Sequence, residues 1–285
     1  MLGNHLLGLY EKALPPELSW RERLEAAREL GFDFVEISID ETDERLARLD
    51  MGPAERDALH AAIRDSGIPL QSMCLSAHRR FPFGSADASV RARAGEIMEK
   101  AVRFAREFGI RVIQLAGYDV YYEPSTPESL ARFEDGLRGA CGIAGQYQVM
   151  LAMEIMDTEL MSSVTRYLNY KALLPSPWFT VYPDLGNLSA WGNDTLAELD
   201  LGRDQIVGVH VKDTLAVTAD FPGKFKCVPF GSGCVDFPAC FGRLERQGYR
   251  GPYMIEMWYQ PGQDWRAEIA SARDFVTRKF EEGLS

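Results

Sequence analysis

A short apolar run followed by a helix-forming stretch recurs eight times along 285 residues, and this repetition limits the fold more than any other feature of the chain. The first four runs fall at residues 6–10, 34–38, 69–75 and 112–116. Helices are expected after each. Ser19 and Glu22 form a capping box ahead of a helix that stops at Gly31, and Pro53 opens a helix of residues 53–66 with Gly67 beyond its end. A longer helix of residues 88–108 ends before Gly109, and Thr126 and Pro127 start one that reaches residue 147. Four further units follow, with helices near 162–173, 195–201, 236–247 and 264–280. An alternation this long predicts a closed (β/α)8 TIM barrel, because a doubly wound sheet normally uses fewer units. No shift in composition divides the chain, so residues 1–285 are expected to form a single barrel domain.

The last four runs share a second property. They read MLAME (150–154), VYPD (181–184), VGVH (207–210) and YMIE (253–256), and each stops on a residue able to ligate a metal. In a parallel barrel the carboxyl ends of all strands meet on one face, which would gather Glu154, Asp184, His210 and Glu256 into one site. Taken singly, each has a plainer reading as a helix cap or a hydrogen-bonded core histidine. Four in succession favour the common site. One imidazole and three carboxylates suit a single divalent ion, Zn2+ or Mn2+ first, with Mg2+ and Co2+ as alternatives. Such an ion can chelate a ketone oxygen and the neighbouring hydroxyl, making the C–H between them acidic. One carboxylate can then take the proton and another return it on the opposite face, and Glu154 and Glu256 are the candidates for these catalytic roles.

Composition excludes several other classes. A net charge of −11 disfavours a nucleic-acid partner, since phosphate backbones require clustered Lys and Arg. A nuclease that gathers several ions through many histidines is also disfavoured, because the only histidines are His5, His60, His78 and His210. Of these, His60 lies within a helix and is expected at the surface or in packing. The five cysteines include no C-x-x-C pair and are read as reduced thiols. No glycine-rich nucleotide fingerprint occurs. No apolar run is long enough to cross a bilayer, and the amino terminus lacks signal-peptide features, so a cytoplasmic protein with no membrane association is expected.

Longer stretches carry a family resemblance. They are YEKALP (10–15), FVEISID (34–40), ERLARLD (44–50), LSAHRRFPFG (75–84), YPDLGNLSAWG (182–192) and GPYMIEMW (251–258). Across nearly its whole length the chain resembles the L-ribulose-5-phosphate 3-epimerases, also called L-xylulose-5-phosphate 3-epimerases, of the xylose-isomerase-like barrels. The resemblance implies interconversion of two ketopentose phosphates in pentose or L-ascorbate breakdown, with the metal at the four residues named. Related epimerases of unphosphorylated ketoses carry a histidine three residues after the metal-binding aspartate. This chain has Asn187 there, which fits a different substrate.

A phosphorylated substrate needs donors at the barrel mouth. The candidates are His78, Arg79 and Arg80, then Lys212, Lys224, Lys226 and the turn Gly231-Ser232-Gly233, with Asn187 as a further substrate contact. Glu36 is read either as a contact to substrate hydroxyls or as one side of a structural hydrogen bond, and Trp191 and Trp258 as pocket walls. The long excursion at residues 212–234 is expected on the active face. The rival readings are aldose–ketose isomerisation, polyol dehydration and a non-catalytic sugar-binding protein. A homodimer is compatible with barrels of this kind, although no surface patch identifies one.

Overall fold

The computed structural model describes residues 1–285. Eight parallel strands form the barrel: β1 (Leu7–Tyr10), β2 (Phe34–Ile39), β3 (Leu70–Leu75), β4 (Val112–Leu115), β5 (Met150–Glu154), β6 (Phe179–Tyr182), β7 (Val209–Val211) and, after a two-stranded insertion, β10 (Tyr253–Ile255). Neighbours pair in the order β6-β5-β4-β3-β2-β1-β10-β7. The ring closes between β6 and β7 through two isolated parallel bridges, Val181 to Ile206 and Asp184 to His210. Pro183 lies between them and has no N–H to give a continuous ladder, but its carbonyl accepts from His210 N at 2.9 Å.

Eight principal helices cover the outside: α1 (Trp20–Glu29), α3 (Pro53–Ser66), α4 (Ala88–Phe108), α5 (Pro127–Tyr147), α6 (Val164–Leu173), α8 (Thr195–Gly202), α9 (Phe237–Arg246) and α10 (Trp265–Leu284). The expected Ser19–Glu22 capping box is present, and Gly67 and Gly109 take the left-handed conformation that ends α3 and α4. Two short helices lie outside the expected pattern. They are α2 (Asp43–Ala47), after β2, and α7 (Leu185–Ala190), after β6.

The apolar core lies mainly between barrel and helices, as one cluster of 70 buried residues. The barrel interior is different. A small group of Tyr10, Phe34, Cys74 and Met254 and another of Val112, Ala152 and Tyr182 share it with polar Glu36, Ser72, Gln114 and His210, all buried. A barrel normally fills this space with branched apolar side chains.

Two structural findings revise the expected boundaries. The excursion at 212–234 contains an antiparallel pair, β8 (Asp213–Leu215) and β9 (Lys224–Val228), and is therefore an ordered hairpin. The four proposed ligands are also not all terminal in their strands. Glu154 ends β5 and Glu256 directly follows β10, but Asp184 lies beyond β6 as the N-cap of α7 and His210 is the middle residue of β7. The segments YEKALP and ERLARLD meet above β1 and β2. There Glu11 is buried between Arg45 and Arg48, and Lys12 pairs with Asp40 at 2.6 Å. No helix is long and apolar enough to cross a membrane.

Candidate metal centre

Glu154, Asp184, His210 and Glu256 each present a ligand atom, and these atoms all lie within 4.8 Å of one another. Barrel closure produces this convergence, since β5, β6, β7 and β10 are consecutive around the ring. Nδ1 of His210 is 3.4 Å from Glu154 and 3.7 Å from both Asp184 and Glu256. Asp184 divides its two oxygens between two tasks. Oδ1 accepts from Asn187 N at 2.7 Å and caps α7, while Oδ2 is buried in the cage without a hydrogen bond, although Lys212 Nζ is 3.1 Å away. The cap and the ligand readings of Asp184 are therefore both satisfied.

The charges of the cage are unbalanced. Four buried carboxylates, counting Glu36, face Lys212 and His210. Burial raises the Glu154 carboxyl against the pull of His210 and Lys212, and burial likewise raises Glu256 to about 7. At Asp184 burial acts upward too, but Lys212 and His210 outweigh it and hold the group low. Burial would lower the His210 imidazole, yet Glu36, Asp184 and Glu154 push it well above its ordinary value. An excess of negative charge, a buried carboxylate oxygen with no hydrogen bond and an inward imidazole nitrogen fit one divalent cation bound by these four residues.

Lys212, expected as a phosphate donor, is buried in this cage. Its ammonium donates to Glu256 Oε2 at 2.8 Å and faces the Trp258 ring at 5.6 Å. His78 is likewise committed elsewhere. Its ring packs on Phe83 at 4.5 Å, its Nε2–H donates to the Ala94 carbonyl at 3.2 Å, and burial lowers it to about 4, leaving it neutral. The Gly231 and Gly233 amides are not free to hold an anion, because both donate to Asp213 Oδ2, at 2.8 and 2.9 Å. Asn187 donates from its side chain to the Ile155 carbonyl at 2.8 Å. Arg80 pairs with Asp43 at the surface.

Other expected donors remain available. Arg79 stacks on Tyr121 at 4.6 Å and lies 3.8 Å from Glu41, with its Nε unpaired, and Lys224 and Lys226 are exposed on β9. A cavity of about 710 Å3 runs outward from Lys212 and Glu256 between the hairpin and α10, with Trp258 in its wall. Trp191 packs on Phe225 of the hairpin and donates to the Met156 carbonyl. His60 stacks on Phe108 at the surface, as expected.

Ser72 and Gln114 escaped the reading of the sequence. Ser72 donates to Glu36 Oε2 at 2.6 Å, and the Gln114 amide nitrogen lies 3.1 and 3.2 Å from the two ring nitrogens of His210. The available signal was a polar interruption of two otherwise apolar strands, Gln71 and Ser72 in β3 and Gln114 in β4.

An eight-stranded parallel barrel with an acidic ligand cage at its carboxyl face defines a metal-dependent barrel enzyme class. Comparison with known proteins narrows this. Residues 24–276 match the xylose isomerase-like TIM barrel family. The chain is 56% identical over 279 residues to the putative L-ribulose-5-phosphate 3-epimerase SgbU of Escherichia coli K12, covering 98% of each. It is 57% identical over 274 residues to the L-ribulose-5-phosphate 3-epimerase UlaE of Escherichia coli O157:H7, covering 96% of this chain and 94% of that one. The protein belongs to the xylose isomerase-like barrels and, within them, to the L-ribulose-5-phosphate 3-epimerase family. Among solved structures an L-ribulose 3-epimerase superposes with a TM-score of 0.76 at 18% identity, covering 98% of this chain and 96% of that one. At that identity the likeness concerns the fold.

Proposed function

We propose that the protein is a metal-dependent 3-epimerase interconverting L-ribulose 5-phosphate and L-xylulose 5-phosphate. The observation that carries this reading is the pair Glu154 and Glu256, set on β5 and beyond β10 with the Asp184 and His210 strands between them, in a chain 56% identical to a relative named for this reaction. The bound cation, with Zn2+ or Mn2+ preferred over Mg2+ and Co2+, would polarise the ketose carbonyl and so acidify the C3–H.

The protein's own groups supply the rest. One glutamate accepts the C3 proton and the other delivers a proton to the opposite face, and burial of both carboxyls brings their affinity for protons nearer to what neutral-pH transfer requires. Lys212 holds one oxygen of Glu256 at 2.8 Å and thereby fixes where the other points. Arg79 and Lys224, with Lys226 beside Trp258, are the groups assigned to the phosphate, because His78, Lys212 and the 231–233 turn are bonded elsewhere. Asn187 ties α7 to the loop after β5 through its side-chain N–H, and its buried, unpartnered Oδ1 is the atom assigned to a substrate hydroxyl.

The test is incubation of the metal-loaded protein with L-ribulose 5-phosphate in deuterated water. L-Xylulose 5-phosphate carrying deuterium at C3 is the expected product. An aldose, a dehydrated product or tight binding without exchange would reject epimerisation in favour of isomerase, dehydratase or sugar-binding activity.

A further inference from the structure

Glu36 is fully buried in the barrel interior, a costly place for a carboxylate unless its partners define it closely. Both of its oxygens are engaged. Oε2 accepts the Ser72 hydroxyl at 2.6 Å, and Oε1 lies 3.2 Å from His210 Nε2. At 0% exposure neither oxygen is open to a substrate hydroxyl. Because a carboxylate only accepts, Nε2 carries a proton toward Glu36, so Nδ1, the nitrogen that faces Glu154, Asp184 and Glu256, is the one left to give up its proton and ligate a cation.

The backbone is shaped for this contact. Val35 pairs with Leu70, but Glu36 pairs with Ser72, so β3 carries Gln71 as an extra residue at a bulge between Val35 and Glu36. Bulges are uncommon between parallel strands, and they re-aim side chains. This one sets Glu36 and Ser72 side by side. The His210 ring is further held by the edge of Tyr182, 4.7 Å away at 65°, and Gly208 leaves room for that ring, since a Cβ there would lie 2.4 Å from Tyr182 Cε2.

We infer that Glu36, anchored by Ser72 across the β2–β3 bulge, is a positioning residue for His210 that fixes which imidazole nitrogen is presented to the metal cage. It touches neither substrate nor ion and acts through the imidazole alone. The inference rests on the four-residue cage being a cation site.

Co2+, titrated against a competing chelator and followed by its visible absorption, tests it. The wild-type protein, Glu36→Gln, Glu36→Leu and Ser72→Ala are compared, with circular dichroism as the check on folding. Glu36→Gln is nearly isosteric and is expected to lose about 10- to 100-fold in Co2+ affinity with an altered band, as removal of a partner behind a ligating histidine does. Glu36→Leu should lose more, and Ser72→Ala, which leaves the carboxylate in place but unanchored, should lose less. In 15N spectra of the Zn2+ form, wild-type His210 should show a protonated Nε2, and Glu36→Leu should lose that single state. Wild-type affinity, band and tautomer in folded Glu36 variants would overturn the inference and leave Glu36 a structural residue. If Glu36→Gln does not fold, unchanged affinity in Ser72→Ala overturns it instead. Failure of the wild-type protein to bind Co2+ would instead reject the cation site itself.

Discussion

Lys212 donates to Glu256 across 2.8 Å inside the carboxylate cage, so the protein places a buried positive charge of its own beside the metal ligands. The same ammonium is 3.1 Å from Asp184. Lys212→Met would leave both carboxylates buried without their partner, and breaking a buried pair costs about 3–5 kcal/mol. The metal-free variant should therefore melt well below the metal-free wild type, and added Zn2+ should restore much of the difference. Because Lys212 holds the Glu256 carboxyl below where burial alone would put it, its removal should also move the Glu256 ionisation of the metal-free protein upward from about 7. Thermal melts with and without Zn2+, and an NMR pH titration of the Glu256 carboxyl in the metal-free proteins, check both effects. Equal melting of the two metal-free proteins would show that the pair contributes nothing.

Glu154→Gln and Glu256→Gln each keep side-chain volume while removing a proton carrier. Turnover should fall by about a hundredfold to ten-thousandfold in each, as expected for loss of a general acid or base, with the far-ultraviolet circular dichroism unchanged. The two variants should differ in isotope exchange. With one glutamate on each face of C3, each variant should retain slow C3 exchange for one epimer and lose it for the other. Identical residual exchange in both would mean that the two carboxylates do not divide the faces between them.

Gly186 lies in the first turn of α7, the helix capped by Asp184. A Cβ at this position would sit 2.7 Å from Thr214 Cγ2, 2.8 Å from Lys212 Cγ and 2.9 Å from the Lys212 carbonyl oxygen. Backbone cannot move aside cheaply, so Gly186→Ala should push α7 away from Lys212 and β8 and carry Asp184 with it. The expected cost is about 1–3 kcal/mol from overpacking, together with weaker metal binding. Urea unfolding and a Co2+ titration measure the two effects, and an unchanged affinity would show that α7 does not set the position of Asp184.

Barrel and cage were legible in the sequence because both repeat. Eight apolar runs set the strand count, and four of them led into Glu154, Asp184, His210 and Glu256. Lys212 was misread as a loop donor although the strand period of two already placed it on the same face as His210. Its charge suggested solvent, and only the neighbouring carboxylates make its burial tolerable. Glu36 carried no label for its role, because its partner His210 is 174 residues away and the bulge that brings Ser72 beside it leaves no mark in the local pattern. The hairpin β8–β9 was hidden for another reason. Its short, partly exposed strands lack the apolar density of the barrel strands, and the turn at 231–233 that looked built for an anion is instead bonded to Asp213.

His78 provides a test away from the cage. Its ring is buried between Phe83 and the Ala94 carbonyl, and burial lowers its pKa to about 4, against about 6.5 for an unfolded histidine. Above pH 6.5 both states are neutral at this position and its contribution is complete. As pH falls from about 6.5 toward 4, the unfolded chain takes up a proton that the folded chain refuses, so stability is lost through that window, by up to about 3 kcal/mol. His78→Gln keeps an N–H that can reach the Ala94 carbonyl and has no charge to gain. Its stability should therefore decline less steeply than the wild type's between pH 7 and 4.5, the difference between the two profiles isolating His78 from the carboxylates common to both. Denaturant unfolding at a series of pH values measures that difference. Parallel profiles would show that His78 can protonate in the folded protein, and would return it to the set of groups able to meet a phosphate.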